Sequence, residues 1–318
     1  MSAIKFVNVS KQYPGTPAPA VDNITLEIPE GSIVVLLGPS GCGKTTLLKM
    51  VNRLHEPTAG KILLDGVDIQ SIPVNQLRRN IGYVIQQVGL FPHLTIAKNI
   101  AVVPELLGWE RQRINQRVDE LLDLIHLPLD HRNRYPAQLS GGQQQRVGLA
   151  RALAADPQVM LMDEPFGAID AITRASLQDQ LLELQRRLKK TILFVTHDVE
   201  EALKIADEII VLDKGRLVQK DTPCNLLANP ASDFVRQLLN SDDRIRQLSL
   251  VRVETVMQPL DPTIQPNQLP RVPIGTDLKQ VLSIMLAPKA DVVVVTHDEK
   301  PVGLITFEEL RKVGCLSN

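Results

Sequence analysis

A glycine-rich segment near the N-terminus carries the strongest chemical signal in the sequence. It consists of Gly38, Pro39, Ser40, Gly41, Cys42, Gly43, Lys44 and Thr45, with Thr46 directly after it. The spacing fits G-x-x-x-x-G-K-[ST], in which backbone N–H groups surround phosphate oxygens at the start of a helix. Lys44 is expected to reach the β- and γ-phosphates of a nucleoside triphosphate, and the Thr45 hydroxyl to bind Mg²⁺. An apolar run before the segment and a helical pattern after it favour a P-loop over a plain glycine turn.

Two acids follow a later apolar run, Val159 to Met162. Asp163, at the end of this predicted strand, is suited to hold Mg²⁺, usually through its water. Glu164, one residue on, points in a different direction and is suited to polarise an attacking water as a general base. Taken alone, such a pair is more often a helix cap or a solvated loop. Together with the P-loop it predicts a site for ATP hydrolysis.

A second helix start has the composition of an anion site. Leu139 is followed by Ser140, Gly141, Gly142 and Gln143, and then by a helix rich in glutamine. A serine hydroxyl and backbone N–H groups converge at such a start. The ordinary alternative is a capped helix after a turn. Because one ATP needs only one phosphate cradle, a second site so far along the chain suggests that it closes over ATP held by another copy.

Alternating strands and helices must position these residues. Continuous apolar runs typical of buried strands occur at 32–37, 159–162, 192–196 and 209–212. Amphipathic helices lie between them, with leucines at helical spacing in 177–188. This alternation predicts an α/β domain with a largely parallel sheet. Residues from about 87 to 156 show helical patterns without a convincing strand, which predicts an inserted helical subdomain.

Composition limits the remaining function classes. The chain has 318 residues, 44% of them apolar and 22% charged, which is ordinary for about two globular domains. A net charge of -1 and only 3% aromatics argue against a nucleic-acid partner. Three widely separated cysteines, Cys42, Cys224 and Cys315, form neither a disulfide framework nor a metal-ligand spacing. With no signal-peptide order and no apolar run long enough for a bilayer, we expect a cytoplasmic location.

The C-terminal third has a different pattern. The loose stretch 240–250 predicts a linker, and prolines between 259 and 273 predict a loop. A small α+β unit follows, with helices predicted at 278–285 and 307–312. Its strands are predicted at 291–295 and 302–305. Because so small a unit is only marginally stable alone, we expect it to pack against a partner.

These motifs, in this order, resemble the ATPases of ABC transporters. The resemblance covers about residues 3 to 235, and the LSGGQ segment 139–143 is its most specific part. It implies the P-loop NTPase fold and a homodimer that sandwiches ATP and Mg²⁺ head to tail. Domain boundaries follow as an ATPase domain at 1–239, a linker at 240–250 and a regulatory or dimerisation domain at 251–318. Two departures, Ile169 for the usual leucine before Asp170 and Ala171 where a proline often follows, leave the aspartate in place.

The resemblance also implies a role for each matching residue. Tyr13 would stack on adenine. Gln86 would link the metal and the attacking water to the transmembrane partner. Asp170 would couple the two sites across the dimer, and His197 would contact the γ-phosphate and hold the transition state. The residues expected to touch the γ-phosphate of the opposite ATP are Ser140, Gly142 and Gln143.

A narrower resemblance concerns the transported solute. Residues 50–54, 81–87 and 89–93 look like those of the quaternary-amine (osmoprotectant) importers, and 254–312 resembles a single CBS motif. It implies import of glycine betaine, choline or carnitine with separate permease and substrate-binding subunits, at the cytoplasmic face of the membrane. Quaternary ammonium groups are held in aromatic cages, which this aromatic-poor chain does not offer. The alternatives are an importer of another small solute, such as an amino acid, and a non-transport ATPase acting on DNA or ribosomes.

Overall fold

The computed structural model describes residues 2–86, 89–167, 169–241, 243–260, 269–286 and 291–312. They fall into two units, Met1–Val218 and Gln219–Asn318. The strands of the first unit, of which the last crosses into the second, are β1 (Ser2–Lys11), β2 (Val21–Pro29), β3 (Ile33–Leu37), β4 (Ala59–Leu64), β5 (Val67–Asp68), β6 (Ile81–Val84), β7 (Val159–Asp163), β8 (Thr191–Val195), β9 (Glu208–Asp213) and β10 (Arg216–Asp221). Its helices are α1 (Lys44–Val51), α2 (Val74–Arg79), α3 (Ile96–Leu106), α4 (Arg111–Leu124), α5 (Gly141–Leu153), α6 (Ala171–Leu188) and α7 (Val199–Ile205).

A six-stranded sheet in the order β10-β9-β3-β8-β7-β6 forms the centre of the first unit. β3 pairs in parallel with β8 and β9, and β7 pairs in parallel with β6 and β8. Every residue of β3 and β8 is buried. Continuous apolar runs form such strands because both faces of the sheet are covered. The predicted parallel sheet is confirmed, and the carboxyl ends of β3, β7 and β8 lie at one edge.

A second sheet, antiparallel and in the order β2-β1-β4-β5, was not predicted from the sequence. In β2, buried and solvent-facing residues alternate along most of the strand. Phe6 and Ile24 of this sheet share one apolar core with Val34 and Leu36 of the central sheet. The antiparallel layer therefore covers one part of the parallel sheet.

Helices account for the region that follows β6. Between residues 89 and 156 the described chain contains α3, α4, α5 and short 3₁₀ turns, and no strand. Ile114, Val118 and Leu121 lie on the buried face of α4, as their helical spacing predicts. The described part of the chain contains no helix with the length and apolar character that crossing a bilayer requires.

The second unit is built around a small sheet. Its helices are α8 (Pro223–Ala228), α9 (Asp233–Leu239), α10 (Arg244–Leu250), α11 (Leu278–Met285) and α12 (Phe307–Lys312), and its sheet has the order β11 (Arg271–Pro273), β12 (Val292–His297), β13 (Lys300–Thr306). β11 pairs with β12 in parallel and β13 with β12 antiparallel, so the predicted helices and strands are present and β11 is additional.

The stretch 240–250 differs from the linker that its loose pattern predicts. Asp243 accepts hydrogen bonds from the N–H groups of Ile245 and Arg246 and starts α10. Leu248 of α10 is buried in the core of the second unit. The division between units accordingly comes at Val218, earlier than the predicted boundary at 239. Residues 261–268, the centre of the predicted proline loop, and Cys315 lie outside the described residues.

Candidate nucleotide site

The loop between β3 and α1 has a conformation that two glycines make possible. Gly38 has φ +153°, and a Cβ there would lie 2.2 Å from the carbonyl oxygen of Leu212. Gly43 has φ +106°, and its Cβ would lie 2.3 Å from the carbonyl oxygen of Ala20. Both distances are far shorter than any real contact. The backbone therefore turns tightly here and presents its N–H groups at the start of α1.

Lys44 is held against this loop by its own backbone. Its Nζ donates hydrogen bonds to the carbonyl oxygens of Gly38 at 2.7 Å and Pro39 at 2.9 Å. The residue is 5% exposed, so its ammonium is positioned rather than solvated. A fixed positive charge at a helix start is suited to bind a phosphate group.

A hydroxyl and a carboxylate meet beside Lys44. Thr45 Oγ1 donates to Asp163 Oδ1 at 2.9 Å, which joins the first turn of α1 to the end of β7. Burial raises the pKa of Asp163 above its ordinary value, and the hydrogen bond from Thr45 opposes that shift. Hydroxyl and carboxylate oxygens are ligands that Mg²⁺ prefers. The described residues contain no group of three or more His, Cys, Asp or Glu that could hold a metal ion.

Glu164 occupies a constrained position next to Asp163. Its φ is +46°, in the left-handed region, and its N–H donates to the carbonyl oxygen of Val195 at 3.0 Å. Oε1 of its carboxylate lies 3.1 Å from Nδ1 of His197, and Oε2 accepts a hydrogen bond from Nε2 of Gln86 at 3.5 Å. Non-glycine residues in this backbone region are often found where a site imposes their geometry. The carboxylate is thus aimed by two neighbours and is suited to accept a proton from water.

The glycine-rich loop, Lys44, Thr45, Glu164 and His197 share one open cleft of about 410 Å³. It is lined by Ala20, Ser40, Gly41, Gly43, Lys44, Thr45, Thr46, Glu164 and His197. This volume is within the range of small-molecule sites. Ala20 was not predicted. Its N–H donates to the carbonyl oxygen of Lys11 at 2.8 Å. This hydrogen bond joins the ends of two strands, and no local sequence pattern predicts it.

Several predicted residues do not line the cleft, namely Gly38, Pro39, Gln86, Asp163, Tyr13 and Cys42. Tyr13 is half-buried, with its ring edge-on to His55 at 5.6 Å and Nζ of Lys11 5.2 Å from the ring centre. The Cys42 thiol is buried, 3.8 Å from Nζ of Lys44. Burial raises the pKa of Cys42, so a smaller fraction is thiolate at neutral pH than in an ordinary cysteine.

The remaining predicted residues lie elsewhere on the first unit. Ser140 caps α5: its Oγ accepts from the N–H of Gln143 at 3.3 Å, and the side chain of Gln143 accepts from the N–H of Ser140 at 3.0 Å. Asp170 caps α6 by accepting from the N–H of Thr173 at 3.0 Å, and hydrogen bonds from the Thr173 region lower the pKa of Asp170. Ser140 and Asp170 are exposed, and neither lines the cleft of its own chain.

Comparisons with known proteins agree with this geometry. The family model described as ABC transporter matches residues 21–167. The osmoprotectant import ATP-binding protein OsmV of Salmonella typhimurium is 48% identical, over 98% of this chain and 81% of its own. The chain belongs to the family of ABC transporter ATP-binding proteins.

Further comparisons within this family extend over most of the chain. The glycine betaine uptake system ATP-binding protein YehX of Escherichia coli is 46% identical, over 96% of this chain and 98% of its own. Among solved structures, the dimeric post-hydrolysis state of the ATP-binding cassette MJ0796 bound to ADP and Pi is 35% identical with a TM-score of 0.61. It covers 69% of this chain and 98% of MJ0796. The ABC ATPase fold predicted from the motifs is thereby confirmed.

Proposed function

We propose that this chain is the ATP-hydrolysing subunit of a membrane importer for osmoprotectants such as glycine betaine, choline or carnitine. The observation that carries the ATPase activity is one cleft lined by the Lys44 loop, by Thr45, which is bonded to Asp163, and by the Glu164–His197 pair. The substrate class is supported by relatives named for osmoprotectant import and glycine betaine uptake.

Each of these groups of residues has a separate task in hydrolysis. The N–H groups of the loop and Lys44 bind the β- and γ-phosphates. Thr45, Asp163 and Gln86 would hold Mg²⁺, which supplies charge neutralisation at the phosphate oxygens when bound. Glu164 accepts a proton from the attacking water, and His197 fixes the direction of that carboxylate.

The exposed caps support a head-to-tail homodimer. Ser140, Gly142 and Gln143 form a helix start whose donors have no nucleotide of their own chain to bind. Ile172, next to the Asp170 cap, has an apolar side chain that is 86% exposed. Both features are explained if a second copy brings its ATP to the Ser140 turn and covers Ile172. The solved relative MJ0796 is dimeric.

An apolar surface after Gln86 is suited to dock a permease subunit. Phe91 is 42% exposed, although buried Asn99 fixes its backbone by accepting from its N–H at 2.8 Å and donating to its carbonyl oxygen at 3.1 Å. Leu106 on α3 is 57% exposed. Because Gln86 contacts Glu164, a partner bound here would act on the hydrolytic carboxylate. This arrangement corresponds to a peripheral subunit at the cytoplasmic face of the membrane.

Substrate selection is assigned to other chains, a permease pair and a substrate-binding protein. The decisive test reconstitutes those subunits with this one in vesicles and follows radiolabelled glycine betaine, with an amino acid and sulfate as competing solutes. ATP-dependent accumulation of glycine betaine is expected, and Glu164→Gln should abolish it. Uptake of another solute in its place would overturn the substrate class while leaving the ATPase proposal intact.

Docking is tested by a matched pair of exposed apolar residues. Phe91→Asp should reduce recovery of the permease with this subunit, while ATP hydrolysis by the isolated subunit stays within about twofold of wild type. Leu129→Asp serves as the control and should retain the permease. Leu129 is 55% exposed and is not part of the surface proposed around Phe91 and Leu106. Equal recovery of the permease by both variants would place the docking surface elsewhere.

The C-terminal unit is proposed to pair with its counterpart in the second subunit. Its α11–β12–β13–α12 order is the helix–strand–strand–helix order predicted for the unit that resembles a single CBS motif. Leu286, at the end of α11, is 72% exposed. Leu286→Glu should weaken the ATP-bound dimer in sedimentation experiments and alter the response of ATP hydrolysis to ionic strength. If Leu286→Glu changed neither the stability of the dimer nor the salt response, the C-terminal unit would neither pair with its counterpart nor regulate hydrolysis.

A further inference from the structure

One arginine in the first turn of α6 connects two loops of the nucleotide site. Nη2 of Arg174 donates to the carbonyl oxygen of Ile169 at 3.0 Å, and Nη1 donates to Oδ2 of Asp198 at 3.2 Å. Ile169 immediately precedes Asp170, and Asp198 immediately follows His197. A single planar guanidinium therefore joins the Asp170 loop to the His197 loop.

Asp198 is itself fixed by other bonds. Its Oδ1 accepts from the N–H groups of Glu200 at 2.9 Å and Glu201 at 3.2 Å, which caps α7. Its own N–H donates to Oγ1 of Thr196 at 3.0 Å. His197 is thus enclosed between two residues whose positions are set, and Arg174 bonds to one of them.

The same turn of α6 touches the Ser140 turn on another side. A Cβ on Gly142 would lie 2.6 Å from Cγ2 of Thr173, so the Gly142 backbone packs against the methyl group of Thr173 with no room for a side chain. The turn therefore contacts both the segment proposed to bind the opposite ATP and, through Arg174, the segment that serves the chain's own ATP.

We propose that Arg174 is a positioning residue that makes these two segments move together, so that docking of the Ser140 turn on the opposite ATP sets the direction of His197. The proposal rests on the head-to-tail dimer proposed above. The side chains of Arg174 and Asp198 are 31% and 34% exposed, and ion pairs this exposed add little to stability. The contribution of the pair is accordingly geometric, and its loss should affect turnover more than folding.

Steady-state ATP hydrolysis by the full chain tests this role. Arg174→Met removes both hydrogen bonds and should lower kcat by about 10- to 100-fold, the effect of a small misplacement in a catalytic site, with KM for ATP within about twofold. Arg174→Lys keeps the positive charge but loses the planar guanidinium that bonds both partners, so its kcat should lie between those of Arg174→Met and wild type. Arg187→Met, at an exposed position on the same helix, is the matched control and should equal wild type.

A double-mutant cycle identifies the partner. Asp198→Asn keeps the oxygen that caps α7 and removes the charge that Arg174 contacts. If Arg174 acts through Asp198, the variant with both changes should be no slower than Arg174→Met alone. Fully additive losses would overturn the proposed route, as would a kcat for Arg174→Met equal to that of the control.

Hydrogen–deuterium exchange of the nucleotide-free protein separates this inference from the ATPase proposal. Arg174→Met should speed amide exchange in 169–173 and in 197–198 together, and Arg187→Met in neither. Unchanged exchange in either segment would refute the connection. If wild type failed to hydrolyse ATP but Arg174→Met still loosened both segments, the proposed function would fall and the connection would stand. Should Arg174→Met not fold, Arg174→Lys supplies the same comparison.

Discussion

The imidazole of His197 lies with Nδ1 3.1 Å from Oε1 of Glu164, although the two residues are 62% and 22% exposed at the side chain. The contact joins the ends of adjacent parallel strands, β7 and β8. Both residues line the nucleotide cleft. The proposed proton acceptor therefore lies at the cleft in which nucleotide is proposed to bind.

Replacement of this acceptor gives the first prediction. Glu164→Gln keeps the shape of the side chain but removes the base, so kcat should fall by about 10²–10⁴. Affinity for a fluorescent ATP analogue should be retained, since the phosphate-binding loop is unchanged. Release of inorganic phosphate at saturating ATP measures the loss, and Glu183→Gln on the exposed face of α6 is the control. Hydrolysis by Glu164→Gln at the control rate would assign the base to another group.

Glycines of the P-loop give a second prediction, because two of them differ in what surrounds them. A Cβ on Gly43 would lie 2.3 Å from the carbonyl oxygen of Ala20, whereas a Cβ on Gly41 has nothing within 4 Å. Both have positive φ, +106° and +79°, so both alanine variants carry the backbone cost of about 1–2 kcal/mol. Only Gly43→Ala must also displace the loop.

We therefore expect Gly43→Ala to lose nucleotide binding and Gly41→Ala to keep it within about tenfold. Isothermal titration with ATP measures the affinities, and thermal unfolding reports the stability of each variant. Equal affinities for the two variants would mean that the contact with Ala20 does not shape the loop.

The raised pKa of Asp163 gives a third prediction. Burial, the largest cause, favours the protonated carboxyl in the folded protein. This group therefore lowers stability as the pH rises from the unfolded-state value, about 3.8, through the higher folded value, and the penalty is complete above it. Asp163→Asn removes the penalty. Without nucleotide and metal, the variant should melt at a higher temperature than wild type at pH 7, while Mg²⁺-dependent hydrolysis is lost.

The sign of this effect is checked by lowering the pH. As the pH falls below 3.8, wild-type Asp163 becomes neutral in both states, so the melting temperatures should converge. Asp179→Asn, on α6, controls for a general effect of net charge. A variant less stable than wild type at pH 7 would mean that the hydrogen bond from Thr45 outweighs the burial.

The sequence predicted the central sheet well for a physical reason. Strands buried on both faces, such as β3, β7 and β8, read as unbroken apolar runs, and their ends were placed within one or two residues. The P-loop and the acidic pair follow the ends of these strands directly. Their meeting in one cleft is therefore a consequence of parallel pairing, which brings the carboxyl ends to one edge.

Contacts between segments far apart in the chain could not be predicted from the sequence. The antiparallel strands β1 and β2 mix polar and apolar residues, and their pairing depends on partners elsewhere in the chain. The position of Ala20 in the cleft depends on that pairing. Helix α10 was taken for a linker because only Leu248 and its neighbours show an apolar pattern, and the core that buries Leu248 comes from later residues.

Chemical labelling of the cysteines gives a fourth prediction. The sequence places Cys42 in the P-loop, which suggests sensitivity to alkylation, but its thiol is buried and its pKa is raised above 9.0 by that burial. The thiolate fraction at pH 7 is correspondingly small. Iodoacetamide should label the partly exposed Cys224 before Cys42, and labelling of Cys42 should accelerate from pH 7 to pH 9 and slow with bound ATP. Peptide mass spectrometry over time measures both rates, and rapid labelling of Cys42 at pH 7 would contradict the burial.

The packing of Gly142 against Thr173 gives a fifth prediction, which a second substitution can reverse. Gly142→Ala places a Cβ 2.6 Å from Cγ2 of Thr173, so the Ser140 turn must separate from α6. Dimerisation on ATP should weaken by about tenfold or more, since this turn is proposed to bind the opposite phosphates. Thr173→Ser removes that methyl group and keeps the backbone N–H that Asp170 accepts.

The double variant Gly142→Ala/Thr173→Ser should therefore recover much of the loss, while Thr173→Ser alone stays near wild type. Size-exclusion chromatography in the Glu164→Gln background, with ATP present, measures the dimer without turnover. Recovery would locate the defect in the contact within one chain. If the double variant remained monomeric, the methyl group added at position 142 must instead collide with the partner subunit or with its nucleotide. The packing of Gly142 against α6 would then not be the reason that position 142 requires glycine.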